Sequence, residues 1–394
     1  GGLSRPCAAA LGAAAIAALA GCGGDEERQA GSLETGLTEF HPALLAPLPV
    51  DGRPANAAVL RARLLALRPR YFRIMVIWSA VQPRPGIPPD WERSAIGGYS
   101  VAAQLRAAAA ARRAAGGGFE PVVTFLGMPG WAARPPGGCE PPDKPDARAI
   151  SPAALPAYRA MVESLLALSR RSSAPIRWWS AWNEPNVNLY LAPQRARCEP
   201  SSPSLAAGLY APLVRTLRAA LQAAPGRQEL LVGETSSPFR SRGGITTVGE
   251  FVRGLPRDVL CAGPVWAHHQ YAGDADRLAE LEGLLQRARC PGGPLRIWIT
   301  ETGAGREGPE HSRSPNPAAQ RASCRALEGL LARWYRDPRV EAAFQFTFHE
   351  DPNFAVGLLT PDYAREYPTY ALWRAWGERE EPTDPAPPLP AGCR

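Results

Sequence analysis

Short apolar, β-rich runs alternate with longer runs of helical period along residues 34–376. Tyr71-Phe72-Arg73-Ile74-Met75-Val76-Ile77 typifies the first kind: too short for a stable helix, and rich in side chains that suit a sheet. Residues 34–40, 71–78, 119–126, 176–183, 229–234, 265–271, 295–301 and 341–348 are predicted strands. Residues 55–67, 94–115, 152–171, 205–224, 246–254, 274–289, 317–336 and 367–376 are predicted helices. Pro69 stops the first helix, and the Gly116-Gly117-Gly118 run stops the second. Eight strand–helix units in one rhythm predict a (β/α)8 barrel. An open doubly wound sheet is the rival architecture. No glycine-rich phosphate loop follows the first strand, which weakens that rival. With 45% hydrophobic residues in 394, one large core is within reach.

The barrel pattern covers residues 34–377, and the flanks read differently. Arg5 precedes the apolar stretch 8–20, which is too short to span a bilayer as a helix. Leu19-Ala20-Gly21-Cys22 resembles a bacterial lipobox. That implies a signal over residues 1–21, lipidation at Cys22 and a tether over 22–33. An ordinary secretory signal is the alternative. The expectation is an exported cell-envelope lipoprotein that touches the membrane only through this anchor. Residues 378–394 are rich in proline and read as a surface strap.

A net charge of +7 raises nucleic-acid binding as an option. Of the 44 basic residues all but Lys144 are arginine, spread evenly and not interleaved with aromatics. A composition bias explains that better than a basic patch, so no nucleic-acid partner is expected.

In an exported barrel the cysteines favour disulfides. Their spacing matches no zinc pattern, and neither a metal nor a cofactor is expected. Cys139 and Cys198 fall in successive loops on one face of the barrel. Cys261 and Cys290 precede neighbouring strands on the other. Elimination leaves Cys324 with Cys393.

Two predicted strands end in glutamate. Arg177-Trp178-Trp179-Ser180-Ala181-Trp182-Asn183-Glu184-Pro185-Asn186 ends the fourth, and Leu295-Arg296-Ile297-Trp298-Ile299-Thr300-Glu301-Thr302-Gly303 the seventh. Barrel active sites lie at the C-terminal ends of the strands. The long loops 127–150 and 185–203 sit on that face. Glycoside hydrolysis with retention needs two carboxyl groups about 5–5.5 Å apart, one protonated and one ionised. Glu184 and Glu301 are the candidates, and spacing alone does not say which is which.

Here the chain resembles the clan A glycoside hydrolases, retaining (β/α)8 enzymes. Trp182-Asn183-Glu184-Pro185 matches their acid/base motif, and Trp298-Ile299-Thr300-Glu301-Thr302-Gly303 their nucleophile motif. The resemblance implies Glu184 as acid/base, Glu301 as nucleophile and Asn183 as partner of the sugar 2-hydroxyl. It implies Arg73 as the cation that keeps the nucleophile ionised, and His269 and Tyr271 as strand-six contacts to sugar and nucleophile. Trp78 and Trp131 match the loops after strands two and three, where flat rings stack on sugars. The family's strand-eight tryptophan is absent, and Phe348 or His349 is expected in its place.

Some residues read more simply. His268, Trp178 and Trp179 are expected to pack rather than bind. Either glutamate alone could cap a helix or pair with arginine. The expected partner is a carbohydrate substrate. Rival functions are an inactive carbohydrate-binding lipoprotein on the same fold and an envelope scaffold.

Overall fold

A computed structural model describes residues 31–238, 242–274, 276–307, 312–351 and 354–394. The expected signal, the tether through residue 30 and the Cys22 lipidation site lie outside the described residues. Eight strands close into a parallel barrel: β1 (Glu34–Thr38), β2 (Tyr71–Ile77), β3 (Glu120–Leu126), β4 (Trp178–Ser180), β5 (Glu229–Thr235), β6 (Val265–His269), β7 (Arg296–Thr302) and β8 (Val340–Phe346). Closure pairs β1 with β8, setting Glu34 beside Ala342 and Thr38 beside Phe346. Helices α1 (Ala57–Leu65), α2 (Val101–Ala115), α3 (Leu155–Arg171), α4 (Ala206–Ala223), α5 (Val248–Gly254), α6 (Leu278–Ala288), α7 (Pro317–Arg336) and α8 (Pro368–Gly377) alternate with the strands.

Alternation along each strand sorts side chains into two cores. Phe72, Ile74 and Val76 face the helices, as do Ile297 and Ile299. Tyr71, Trp178, Trp298 and Phe344 fill the inside of the barrel with Val122, Leu231, Val265, Ala267 and Ala342. The Trp298 ring stands 4.4 Å from Tyr71 and 4.5 Å from Trp178 between centroids. These rings form an apolar floor. Strands buried on both faces explain why the runs look continuously apolar in sequence.

The structure corrects some boundaries. Helix α2 starts at Val101, not residue 94, because the Ser100 hydroxyl accepts from the Ala103 amide at 3.1 Å. Strand β4 stops at Ser180, well before the predicted end at 183. Past it, the Asn183 amide donates to the Phe125 carbonyl and the Glu184 amide to the Glu234 carbonyl, so the chain turns over the barrel mouth.

Disulfides join Cys139 to Cys198, Cys261 to Cys290 and Cys324 to Cys393. The first ties the loops after β3 and β4. The third fixes the C-terminal strap, whose Arg379 lies over Trp376 at 4.6 Å and whose Pro382 carbonyl accepts from the Leu33 amide. Among the described residues, no helix is long and apolar enough to cross a membrane.

Candidate active site

Above the aromatic floor sits a layer of charge. Arg73, two residues after Tyr71, points up into the mouth and is fully buried. Its Nη1 donates to Glu301 Oε1 at 2.6 Å, and its Nη2 to Asn183 Oδ1 at 2.8 Å and Glu234 Oε1 at 2.9 Å. Its Nε donates to Thr124 Oγ1 at 3.1 Å, so the whole guanidinium is held. Arginine can only donate, which fixes the Asn183 amide with its oxygen toward Arg73 and its nitrogen turned away.

His269 occupies the other side of the mouth. Its Nδ1 lies 2.8 Å from Glu184 Oε1 and 3.5 Å from Glu301 Oε2, and its Nε2 lies 3.3 Å from Glu234 Oε1. Tyr271 donates its hydroxyl to Glu301 Oε2 at 2.6 Å. Oxygens of Glu184 and Glu301 and a ring nitrogen of His269 lie within 4.8 Å of one another. That gap is nearer the roughly 5–5.5 Å of retaining glycosidases than the roughly 6.5–9.5 Å of inverting ones.

Backbone irregularities aim two of these carboxylates. Trp298 faces inward, so strict alternation would turn Glu301 outward. The register instead slips on β7: His268 pairs with Ile299, but His269 pairs with Glu301. That bulge brings Glu301 into the mouth. Strand β5 does the same, since Gly233 pairs with Ala267 but Thr235 with His268. Gly233 takes φ +96°, and a Cβ there would strike Trp266 at 2.5 Å, so only glycine can lead this bulge. Glu234 follows at φ +57°, and Glu184 sits at φ +37°. Asn186 holds the turn after Glu184 against the next loop: its Nδ2 donates to the Ser236 and Thr246 carbonyls, and its Oδ1 accepts from the Ser236 amide.

Three carboxyl groups face two cations in this cluster. Burial would raise the Glu234 carboxyl, but Arg73 and His269 hold it down to about 2. Burial works against the His269 cation, yet Glu301, Glu184 and Glu234 lift it to about 9. Next to it, burial and the His269 charge push His268 down to about 3. His268 is neutral and sits between Thr235 Oγ1 at 3.0 Å and Ser237 Oγ at 2.8 Å. Burial and then Glu301 raise the Tyr271 phenol, which stays a donor. Glu184, His269 and Glu301 also have the spacing of a metal site. With both ring nitrogens set against carboxylates, however, His269 is a double donor and has no lone pair for an ion.

The structure thus brings Arg73, Asn183, Glu184, His269, Tyr271 and Glu301 together. The aromatic candidates divide. Trp78 is fully buried, with its Nε1 on Gln82 Oε1 and its ring against Trp131 and Tyr158, so it offers no face to a sugar. Trp131 is half-buried at the mouth and donates to the Gln82 carbonyl at 3.0 Å. Phe348 is also fully buried and packs on Tyr370, behind the strand. The half-exposed aromatic at the end of β8 is Phe346. Its ring stands 5.9 Å from Phe354, which is 5.1 Å from Tyr271. The signal for Phe346 was in the sequence: it lies in phase with the inward-facing Ala342 and Phe344. His349 reaches the rim on the carboxylate of buried Glu39, at 2.9 Å. Glu234 was passed over, although it too ends a predicted strand.

No protein-family model matches the chain, and no curated protein matches it in sequence. Solved structures do match. A family 39 glycoside hydrolase from Bacteroides cellulosilyticus WH2 superposes over 89% of this chain, with TM-score 0.54 and 16% identity. The chain spans 64% of that enzyme's length. A family 30 subfamily 8 xylanase from Clostridium acetobutylicum matches over 89% of this chain and 73% of its own, with TM-score 0.51 and 14% identity. An exo-β-1,4-mannosidase from Opitutaceae bacterium strain TAV5 matches over 91% and 62%, with TM-score 0.52 and 14% identity. The chain has the fold of the clan A glycoside hydrolases. At such identities the likeness carries the fold, and the chemistry rests on the site itself.

Proposed function

We propose that this protein is a retaining glycoside hydrolase acting on a β-linked glycan. The observation that carries the reading is the pair of opposed carboxylates, Glu184 and Glu301, with oxygens within 4.8 Å of each other. Glu301 is set up to attack. Arg73 and Tyr271 each hold one of its oxygens and orient the carboxylate toward the mouth. Glu184 is more open, with 14% of its side chain exposed, as a group that must meet leaving group and water requires.

In the first step Glu301 attacks the anomeric carbon, the glycosidic C–O bond breaks, and Glu184 protonates the departing oxygen. In the second step Glu184 takes a proton from water, the water oxygen attacks the anomeric carbon, and Glu301 departs. The transition states are oxocarbenium-like and positively charged. As Glu184 gives up its proton the cluster gains a negative charge, which supports them. Asn183, its oxygen taken by Arg73, has its Nδ2 left for the sugar 2-hydroxyl. Trp131, Phe346 and His349 are the proposed walls of the subsites.

Export fits the three disulfides, and anchoring through a lipidated Cys22 is the proposed attachment. Incubation with 2-deoxy-2-fluoro β-glycosides of glucose, xylose and mannose, followed by peptide mass spectrometry, tests the reading. A covalent adduct on Glu301 is expected. Turnover of aryl glycosides without any such adduct would refute retention, and binding without turnover would favour the inactive carbohydrate binder.

A further inference from the structure

Glu234 has no part in a two-carboxylate scheme, yet it is fully buried at the centre of the cluster. A bulge turns it inward, and its backbone stands at φ +57°, a conformation that costs a non-glycine residue about 1 kcal/mol or more. Its Oε1 receives Arg73 Nη2 at 2.9 Å and lies 3.3 Å from His269 Nε2. Its carbonyl accepts the Glu184 amide at 3.0 Å. Glu234 therefore meets Glu184 along two routes, the main chain and the imidazole.

The second route has a chemical consequence. A carboxylate on one imidazole nitrogen fixes the orientation and protonation of the ring, and so what the other nitrogen presents. Here that other nitrogen is Nδ1, which donates to Glu184 Oε1 at 2.8 Å. With Oε1 engaged, the transferable proton of Glu184 is confined to Oε2. His269 is faced by Glu184 after β4, Glu234 from β5, Glu301 from β7 and its neighbour His268, and Arg73 from β2 shares its partner Glu234.

We propose that Glu234 is a positioning residue for the proton chemistry of Glu184, acting through His269; this rests on the glycosidase reading above. The proton that reaches the leaving oxygen comes from Glu184 Oε2 and returns there from water. Glu234 and His269 keep their own protonation throughout. The competing role is purely a counterion for Arg73, in which Glu234 would serve the nucleophile instead.

Leaving-group dependence separates the two roles. Glu234→Gln keeps an oxygen where Arg73 and His269 converge and removes only the charge. kcat/KM, which reports the glycosylation step, is measured on phenyl, 4-nitrophenyl and 2,4-dinitrophenyl β-glycosides of the sugar that the wild type hydrolyses fastest. The expected loss is about 100-fold on the phenyl glycoside, shrinking to about fivefold on the dinitrophenyl glycoside, whose leaving oxygen barely needs a proton. His269→Gln is expected to show the same slope, and the double variant to be little worse than either. A loss of equal size on all three substrates would overturn the proposal and favour the counterion role. Should Glu234→Gln fail to fold by near-UV circular dichroism, His269→Gln carries the same test with the same overturning result. If the wild type hydrolyses no glycoside and Glu301 is not labelled by the fluorosugars, it is the glycosidase reading that has failed.

Discussion

Arg73 Nη1 lies 2.6 Å from Glu301 Oε1, and Nη2 of the same guanidinium lies 2.9 Å from Glu234 Oε1. One cation from β2 therefore bridges carboxylates on β5 and β7 at the mouth of a closed barrel. Removing one partner of a buried ion cluster leaves the rest uncompensated. Arg73→Met is expected to destabilise the fold by about 3–5 kcal/mol. Urea unfolding measures it, and a midpoint equal to wild type would contradict the role of Arg73 as the cluster's anchor.

The two glutamates proposed as catalytic should fail in different ways. Glu301→Ala is expected to lower turnover of any glycoside by about 10³-fold or more, since water cannot replace the nucleophile in a two-step displacement. Glu184→Ala should keep part of its activity on activated aryl glycosides and gain from added azide, which needs no general base. Steady-state rates with and without azide check both. Rescue of neither variant, or equal rescue of both, would contradict the assignment.

The combined contribution of Glu234, His268 and His269 to stability should peak near pH 6.5. Burial raises Glu234, but Arg73 and His269 hold it at about 2 against an ordinary 4.5, so its contribution is present above 4.5 and lost as pH falls toward 2. His268, depressed to about 3 from 6.5 chiefly by burial, likewise loses its contribution as pH falls below 6.5. His269 runs the other way. Burial opposes its charge, but Glu301, Glu184 and Glu234 raise it to about 9, so its contribution is full below 6.5 and lost as pH rises through 9. The alkaline loss is on the order of 3 kcal/mol. Urea midpoints between about pH 3 and pH 10 provide the check, and a midpoint still rising at the alkaline end would contradict the His269 assignment.

Phe346 and Phe348 should separate function from packing. Phe348→Ala empties a fully buried site against Tyr370 and should cost about 3–5 kcal/mol. Phe346→Ala, at the half-exposed rim, should cost less stability and raise KM. Thermal melts and steady-state kinetics on both variants decide this, and a raised KM confined to Phe348→Ala would reverse the assignment.

Replacing Cys324 and Cys393 by serine opens a bridge between positions 69 apart. The chain-entropy estimate for such a loop is about 4 kcal/mol. Denaturant unfolding of the double variant should show a loss in that direction, with the fold retained, because the bridge holds the end of the strap against helices α7 and α8, outside the barrel.

Much of the fold was legible because the barrel strands are short, apolar and punctuated by proline and glycine. Glu184 and Glu301 were legible through their flanking motifs. Trp78 was misread because a motif carries no burial: the same tryptophan is a platform or a wedge depending on what covers it. The sequence reading offers Phe348 or His349 at the end of the last strand, although alternation from Ala342 favours Phe346.

By itself the sequence determined the eight-unit rhythm, the residue types of the site and which loops carry them, since local propensity and hydrophobic period act over a few residues. Only the tertiary structure decided which carboxylates face one another. From the inward Trp298 and Leu231, alternation sends both Glu301 and Glu234 out of the barrel. One extra residue in each ladder, at Thr300 on β7 and at Glu234 on β5, brings them in. A bulge is set by the register against neighbouring strands, which lie tens of residues away in the chain, and no local pattern encodes it.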